Sequence, residues 1–464
     1  MKFNLLFLYN EGNDTRRGFS VKQLTYQDAL AFIHGRTKFK KIPTLDRMRD
    51  FCKRLGDPQQ KLKMIHVTGT NGKGSTTAYI RQLLIENGFK VGSFTSPFII
   101  KFNDRICING EMIPDDDLVQ MVSEIQPVVA QMDNDWANRG GGPTEFEIDT
   151  AIMFKYFAEQ QVDYAVIEVG LGGTYDSTNV IQPLVSVITG VAEDHLKYLG
   201  PTLQDVARNK AGIIKQDTPV EVADLPDDLF AVITEKAQRM NAPVYKVNDQ
   251  IKTTLLPNNG WGENFNYDFG ENHLKNLHLE MMGDYQVSNA VLAITAVELL
   301  AESEHWNLQD ADVKRALAQT RWPGRFERVN ESPLIVLDGA HNIQAVKKIA
   351  TLLKDRFHDQ QIHIITSILA DKQPKEMLTE LLKLANVEIT VTRFNSPRPV
   401  IDPQKVKEEF PEVNVAAQWQ RALVDTVQTM DEDDVLLFTG SLYFISEVRH
   451  YFVNDEENEN ENEN

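Results

Sequence analysis

The sequence predicts an α/β protein of two units, each built on a mainly parallel sheet, and three observations carry that prediction. Apolar runs bounded by glycine or polar residues alternate with longer helical patterns through both halves of the chain. Those runs are nearly continuous rather than alternating, as strands covered on both faces are. Trp322-Pro323-Gly324-Arg325 then interrupts the helical pattern of 310–320 and divides the chain, since proline and glycine oppose further helix. With 464 residues there is ample chain for two or three cores.

The first strand, near Ile65–Thr68, enters the turn Gly69-Thr70-Asn71-Gly72-Lys73-Gly74, and residues 75–87 read as a helix. Exposed backbone N–H groups, the open first turn of the helix and the Lys73 ammonium converge there, an arrangement suited to nucleotide phosphates. The spelling departs from the Walker pattern, because Gly69 stands four residues before the lysine and Gly74 separates Lys73 from Ser75. A plain glycine-rich βα turn is the bland alternative. Strands follow at 90–95, 164–169 and 184–189, then a helix at 203–211 and a strand near 219–220. Ligands of such a unit collect beyond the carboxyl ends of its strands. In 245–282 aromatic and polar residues alternate, which suggests a small antiparallel excursion before a helix over 286–301. Past the break, strands near 334–338, 361–367, 387–392 and 433–438 alternate with helices near 343–355, 375–384, 403–409 and 418–428. Chemistry between the two units is expected, because domain interfaces favour ligands.

Composition excludes several classes. No apolar run approaches the ~20 residues that cross a bilayer. The opening Met1–Asn10 faintly resembles a signal peptide, but Asn4 breaks its apolar core and no small-residue cleavage site follows, so a cytoplasmic protein is expected. Two cysteines, Cys52 and Cys107, make neither a disulfide framework nor a metal spacing. The net charge of −19 opposes binding to nucleic acid. From residue 454 onward only Asn, Asp and Glu occur, which predicts a disordered tail over 454–464. A monomer is expected.

A longer series of motifs is more specific than the loop alone. His66-Val-Thr-Gly-Thr-Asn-Gly-Lys-Gly-Ser75, Thr95-Ser-Pro-Phe98, Glu168-Val-Gly-Leu-Gly-Gly173, Asp176-Ser-Thr-Asn179, Asp194-His195, Lys210-Ala-Gly-Ile-Ile-Lys215, Trp322-Pro-Gly-Arg325 and Asp338-Gly-Ala-His-Asn342 occur in one order. This series resembles the folylpolyglutamate synthase family of the Mur ligase superfamily and spans most of 45–445. The resemblance implies a Mur-ligase-like P-loop ATPase domain over 1–318, carrying the folate pocket, and a smaller Rossmann-like glutamate ligase domain over 319–453. It also implies ATP-dependent addition of L-glutamate to the γ-carboxylate of a reduced folate. A carboxylate oxygen leaves poorly, so phosphoryl transfer from ATP would first make an acyl phosphate for the incoming amine to attack. Such chemistry needs charge neutralisation and alignment more than a protein nucleophile.

Residue by residue, the resemblance implies that Thr70, Asn71, Gly72, Lys73, Gly74 and Ser75 cradle ATP, with Asn289 near the adenine and Arg325 and Asp338 reaching ATP from the second unit. Taken alone, Asn289 reads as a surface or capping residue, Arg325 as the partner of an acid, and Asp338 as a helix cap. Ser96, Glu168 and His195, at the ends of three strands, are implied ligands of Mg²⁺; otherwise they read as a turn cap, a sheet ion pair and a packing histidine. Lys210 matches a family lysine that can be carbamylated, exchanging a cation for an anion; unmodified, it is a solvated helix charge. His341 is expected near phosphate or glutamate, as a catalytic group or as a neutral structural histidine. Ile343 and Ser367 depart from the proline and glycine frequent in the family at those places.

For the folate, Phe98 and Thr144-Glu145-Phe146-Glu147 are candidate contacts. Phe98 stands where relatives that also make dihydrofolate often carry histidine, which favours folate elongation alone. It could equally fill a loop core, and Thr144 with Glu147 could form a capping box. A bifunctional dihydrofolate synthase/folylpolyglutamate synthase is the runner-up, a Mur-type peptidoglycan precursor ligase a weaker one, and a non-enzymatic ATP-binding module the last. The preferred folate and the polyglutamate length are not legible.

Overall fold

A computed structural model of the chain describes residues 24–38, 43–396 and 398–462. The signal-like start and the last two residues lie outside the described residues. The first unit is centred on an eight-stranded sheet in the order 111–112, 106–108, 91–94, 164–168, 64–68, 185–188, 220–222, 244–246. Its six strands from 91–94 to 244–246 are parallel, and the two edge strands are joined to them and to each other by antiparallel pairing.

Alternation along the central strand Met64–Thr68 sets the layers. Ile65 and Val67 enter a core with the helices Lys73–Glu86 and Asp284–Glu304, whereas Met64 joins the opposite core. That second core holds the helices Tyr26–His34, Asp46–Arg54, Asp115–Asp135 and Glu145–Glu159. Helix Asp284–Glu304 is apolar on most sides because it lies between the large sheet and a three-stranded antiparallel sheet, 251–256, 263–269 and 272–279. Phe265 and Tyr267, two positions apart on the middle strand, point into that layer. The antiparallel excursion expected from 245–282 is this sheet.

Helix Asp310–Gln319 still packs on the first core through Val313, Ala316 and Leu317, whereas Phe326 belongs to the core of the second unit. The second sheet runs 327–331, 334–337, 435–439, 362–366, 387–391, 414–415, parallel except for its first strand. The chain closes in a helix, Leu442–Asn462. Phe444, Ile445 and Val448 seat its first turns on the core of the second unit.

Candidate active site

The carboxyl ends of the two sheets face each other across a cleft of about 690 Å³. The phosphate-loop candidates, Ser96, Glu168, His195, Lys210, Asn289, Arg325, Asp338 and His341 all line it.

Gly72 makes the turn from strand to helix at φ +89°, a left-handed conformation that L side chains avoid. The helix starts at Lys73, two residues earlier than periodicity suggested, so Gly74 lies in its first turn. Trp322 of the interdomain connection packs on that glycine; a Cβ there would sit 2.8 Å from the indole nitrogen. The Lys73 ammonium donates to the carbonyls of Gly69 (3.1 Å) and Thr70 (3.3 Å) and stands 4.0 Å from Glu168 Oε1. The Thr70 hydroxyl donates to Ala192 O and accepts from Ala192 N, tying the loop to the segment after strand 185–188. The Asn289 side chain lies against Gly72, its Nδ2 donating to Gln286 Oε1 at 3.0 Å.

The central charges are underpaired. Glu168 is buried, and burial pushes its carboxyl up to about 7 against the opposing pull of Lys73, Arg325 and the Ser96 backbone N–H. Lys210 is buried, and desolvation holds its amine well below the ordinary lysine value, with neighbouring Lys73 adding to the effect and Asp194 opposing it. The sequence-level alternative of a solvated helix charge is therefore corrected: the last turn of helix Leu203–Lys210 points this lysine inward. Burial likewise lowers His195, which Asp194 partly offsets, and the His195 backbone N–H donates to Asp194 Oδ1 at 2.9 Å.

From the second unit, Asp338 accepts from the backbone N–H of Phe326 and of Ala340, both at 2.8 Å, so its carboxylate pins the Pro-Gly-Arg turn to the strand end. The guanidinium of Arg325 lies beside Gly339, where a Cβ would come within 2.6 Å of Nη1. His341 shares a hydrogen bond with Gly339 O through Nδ1 (2.9 Å), which requires the proton on that nitrogen and leaves Nε2 as the acceptor. Burial and the Lys372 charge push its pKa down to about 4, so it is neutral near pH 7.

Two cross-domain contacts had no role in the sequence reading. Asn71 and Asn342 exchange side-chain hydrogen bonds (3.3 and 3.0 Å), and Asn342 also caps helix Ile343–Arg356. Asp194 pairs with Lys372 at 2.8 Å; burial would raise the Asp194 carboxyl, but Lys372 and His195 outweigh it and hold it below its ordinary value. The motifs Asp194-His195 and Asp338-Gly-Ala-His-Asn342 flagged both neighbourhoods without revealing the pairings.

The donor set can be tested against a divalent cation from its own chemistry. Ser96 and Glu168 carry side-chain oxygens, the Ser96 backbone N–H donates to the Glu168 carboxylate, and that buried carboxylate has Lys73 no nearer than 4.0 Å, which suits a hard ion. The His195 imidazole lines the same cleft but turns toward Asp194, its Nε2 3.7 Å from Oδ1. Among the described residues, no three His, Cys, Asp or Glu side chains form a closed metal cage.

None of the five folate candidates lines the large cleft. Thr144 and Glu147 form a capping box at helix Glu145–Glu159, and Glu147 also binds Arg47 at 2.8 Å. Phe146 packs on Gly170 and on Phe94, with ring centroids 5.7 Å apart. Glu145 meets His34 at 3.0 Å. Phe98 sits under the Arg105 guanidinium, 5.4 Å from its ring centroid, at the margin of the second core.

Comparison with known proteins agrees with this architecture. The Mur ligase middle domain matches residues 67–297, and the Mur ligase glutamate ligase domain matches 324–442. The chain is 39% identical to a dihydrofolate synthase/folylpolyglutamate synthase of Bacillus subtilis, over 91% of this chain and 98% of that protein. It is 38% identical to a folylpolyglutamate synthase of Lacticaseibacillus casei, over 92% and 98%. A solved FPGS–AMPPCP–folate complex superposes with a TM-score of 0.82 at 36% identity, covering 92% of this chain and 99% of that one.

Proposed function

Because the chain belongs to the folylpolyglutamate synthase family of the Mur ligases, we propose that it adds L-glutamate to the γ-carboxylate of a reduced folate. ATP is the activating substrate, and ADP and phosphate are the co-products. One observation carries this reading: the phosphate loop, Lys73 and Glu168 face Arg325, Asp338 and His341 across a single cleft between two sheets. The relatives' names and the nucleotide and folate of the solved complex support it.

In this mechanism the loop amides and Lys73 hold the triphosphate, with Lys73 moving from its own loop carbonyls onto the transferring group. The folate carboxylate oxygen attacks the γ-phosphorus and ADP leaves, giving the acyl phosphate. The glutamate amine then attacks the carbonyl carbon and phosphate departs. Arg325 supplies a second positive charge from the other domain, with Asp338 holding the turn that presents it. His341, neutral with its proton on Nδ1, can accept a hydrogen bond from the incoming amine through Nε2. Ser96 and Glu168, with His195 beside them, would hold Mg²⁺, which when bound neutralises phosphate charge. Lys210 fits carbamylation: its buried neutral amine would add to CO₂ and lose a proton to solvent, giving an anionic carbamate near the Lys73 ammonium.

The test is product mass. Purified protein with ATP, a divalent cation, glutamate and a reduced folate should yield a folate heavier by one glutamyl residue. No addition to any reduced folate by folded protein would sink the reading, and addition of an amino acid to a UDP-linked precursor instead would favour the peptidoglycan alternative.

The similarity to the Bacillus subtilis protein, whose name includes dihydrofolate synthase, favours a second reading in which dihydropteroate is also an acceptor. We keep elongation alone as the first reading, on Phe98 standing where relatives that also make dihydrofolate often carry histidine. Comparable turnover on dihydropteroate and a reduced folate would make the enzyme bifunctional.

A further inference from the structure

One cation in the cleft is used by none of these roles. Lys348 lies on helix Ile343–Arg356, six positions after the capping Asn342, which is about 9 Å farther along the axis. Its ammonium stands 5.5 Å from the centroid of the Tyr285 ring, on the opposite domain. Burial lowers its pKa, and among the described residues Asp284 is the only charged group acting on it. Lys73, Arg325 and Lys372 act on Glu168, Lys210, His195 and His341, and Arg325 and Asp338 also act on Tyr285. Lys73 and Lys372 face Glu168 and Asp194 at the phosphate end, whereas the Lys348 ammonium is placed over the Tyr285 ring.

That corner has other unmet polar groups. Tyr285 Oη and Gln286 Nε2 are buried without a hydrogen-bond partner, and Gln286 is fully buried. The other end of the Gln286 amide is occupied by Asn289. Buried donors without acceptors each carry a penalty of about 1–3 kcal/mol, so their gathering beside a cleft points to a ligand bearing acceptors. Asn289 links the corner to the phosphate loop, because its side chain rests on Gly72.

We propose that Lys348 is a nucleotide-binding residue donated by the second domain, its ammonium hydrogen-bonding an acceptor on the ribose or base of ATP rather than a phosphate. The inference rests on the cleft being the ATP site. The nucleoside is then held from both sides, by Asn289 and Gln286 of one domain and Lys348 of the other.

Calorimetric titration of the full chain separates the parts of the ligand. The parental protein, Lys348→Met and Lys348→Gln are each titrated with AMPPCP, adenosine and inorganic tripolyphosphate. Losing one charge-assisted hydrogen bond should weaken AMPPCP and adenosine by roughly 10-fold or more in Lys348→Met and leave tripolyphosphate unchanged. Lys348→Gln, which keeps a neutral donor, should fall between. Unchanged AMPPCP affinity in both variants overturns the proposal, as does an equal loss for tripolyphosphate, which would mean a general charge effect. If the parental protein itself binds no AMPPCP, the ATP-site reading fails and this one with it. Should Lys348→Met unfold, the same comparison is decided by Lys348→Gln.

Discussion

Gly72→Ala should destabilise the first domain by about 2–3 kcal/mol, and the structure divides that figure into two parts. The backbone at φ +89° is left-handed, which an alanine adopts at about 1–2 kcal/mol. The new Cβ would also stand 2.4 Å from Asn289 Oδ1. Asn289 is buried and bound to Gln286, so moving it aside breaks that hydrogen bond, about 1 kcal/mol more. Asn289→Ala removes the second part in advance. In that background Gly72→Ala should cost only the backbone share, leaving a coupling of about 1 kcal/mol in a double-mutant cycle. Urea unfolding of the four nucleotide-free proteins measures it. Strict additivity, or a Gly72→Ala protein as stable as the parent, would refute the account of this turn.

Lys73→Ala should lower glutamate addition by about 10²–10³-fold with little change in unfolding, the loss expected when one charge-stabilising group is removed; near-parental turnover would remove it from the reaction. Lys210→Ala should lower turnover sharply, with partial rescue by small carboxylic acids, and intact-protein spectroscopy under bicarbonate should reveal a one-carbon adduct on the parental lysine. An active enzyme whose Lys210 is fully unmodified rejects carbamylation. Lys372→Met should be more damaging than the Asp194→Asn/Lys372→Met double variant, because the single change strands a half-buried carboxylate, and unfolding midpoints rank the two. His66, fully buried beside Thr178, is held down to about 3 by burial, with Lys215 adding to it. Its stabilisation is complete above pH 6.5 and is lost as pH falls from 6.5 toward 3, by up to about 1.4 kcal/mol per unit. His66→Gln should flatten that slope, and an imidazole that titrates near 6.5 by NMR would contradict it.

The parallel strands were legible because burial on both faces leaves an unbroken apolar run, as in Tyr164–Glu168 and Val435–Thr439. The helices Tyr26–His34, Asp46–Arg54 and Asp115–Asp135 went unread. Asp115–Asp135 opens on three consecutive acids and holds Pro127 inside, and the other two are only nine residues long. Site candidates at strand ends were readable for the same reason that ligands gather there. What sequence could not supply is pairing over distance. Asn71 with Asn342 and Asp194 with Lys372 are 271 and 178 positions apart, and each residue alone reads as an ordinary loop or surface group. Thr144 and Glu147 illustrate the converse: their spacing correctly signalled a cap, and the cap occupies the groups considered for substrate.

The Lys73 ammonium, resting on the carbonyls of Gly69 and Thr70, has a thermodynamic consequence. A lysine free in solvent would surrender up to about 2 kcal/mol of rotamer entropy on gripping a phosphate. Here much of that ordering has already taken place in folding, and nucleotide arrival exchanges two neutral acceptors for an anionic one. Binding at this end of the cleft should therefore be driven by heat release with a small entropic penalty, and its on-rate should be limited by diffusion rather than by a search among side-chain conformations.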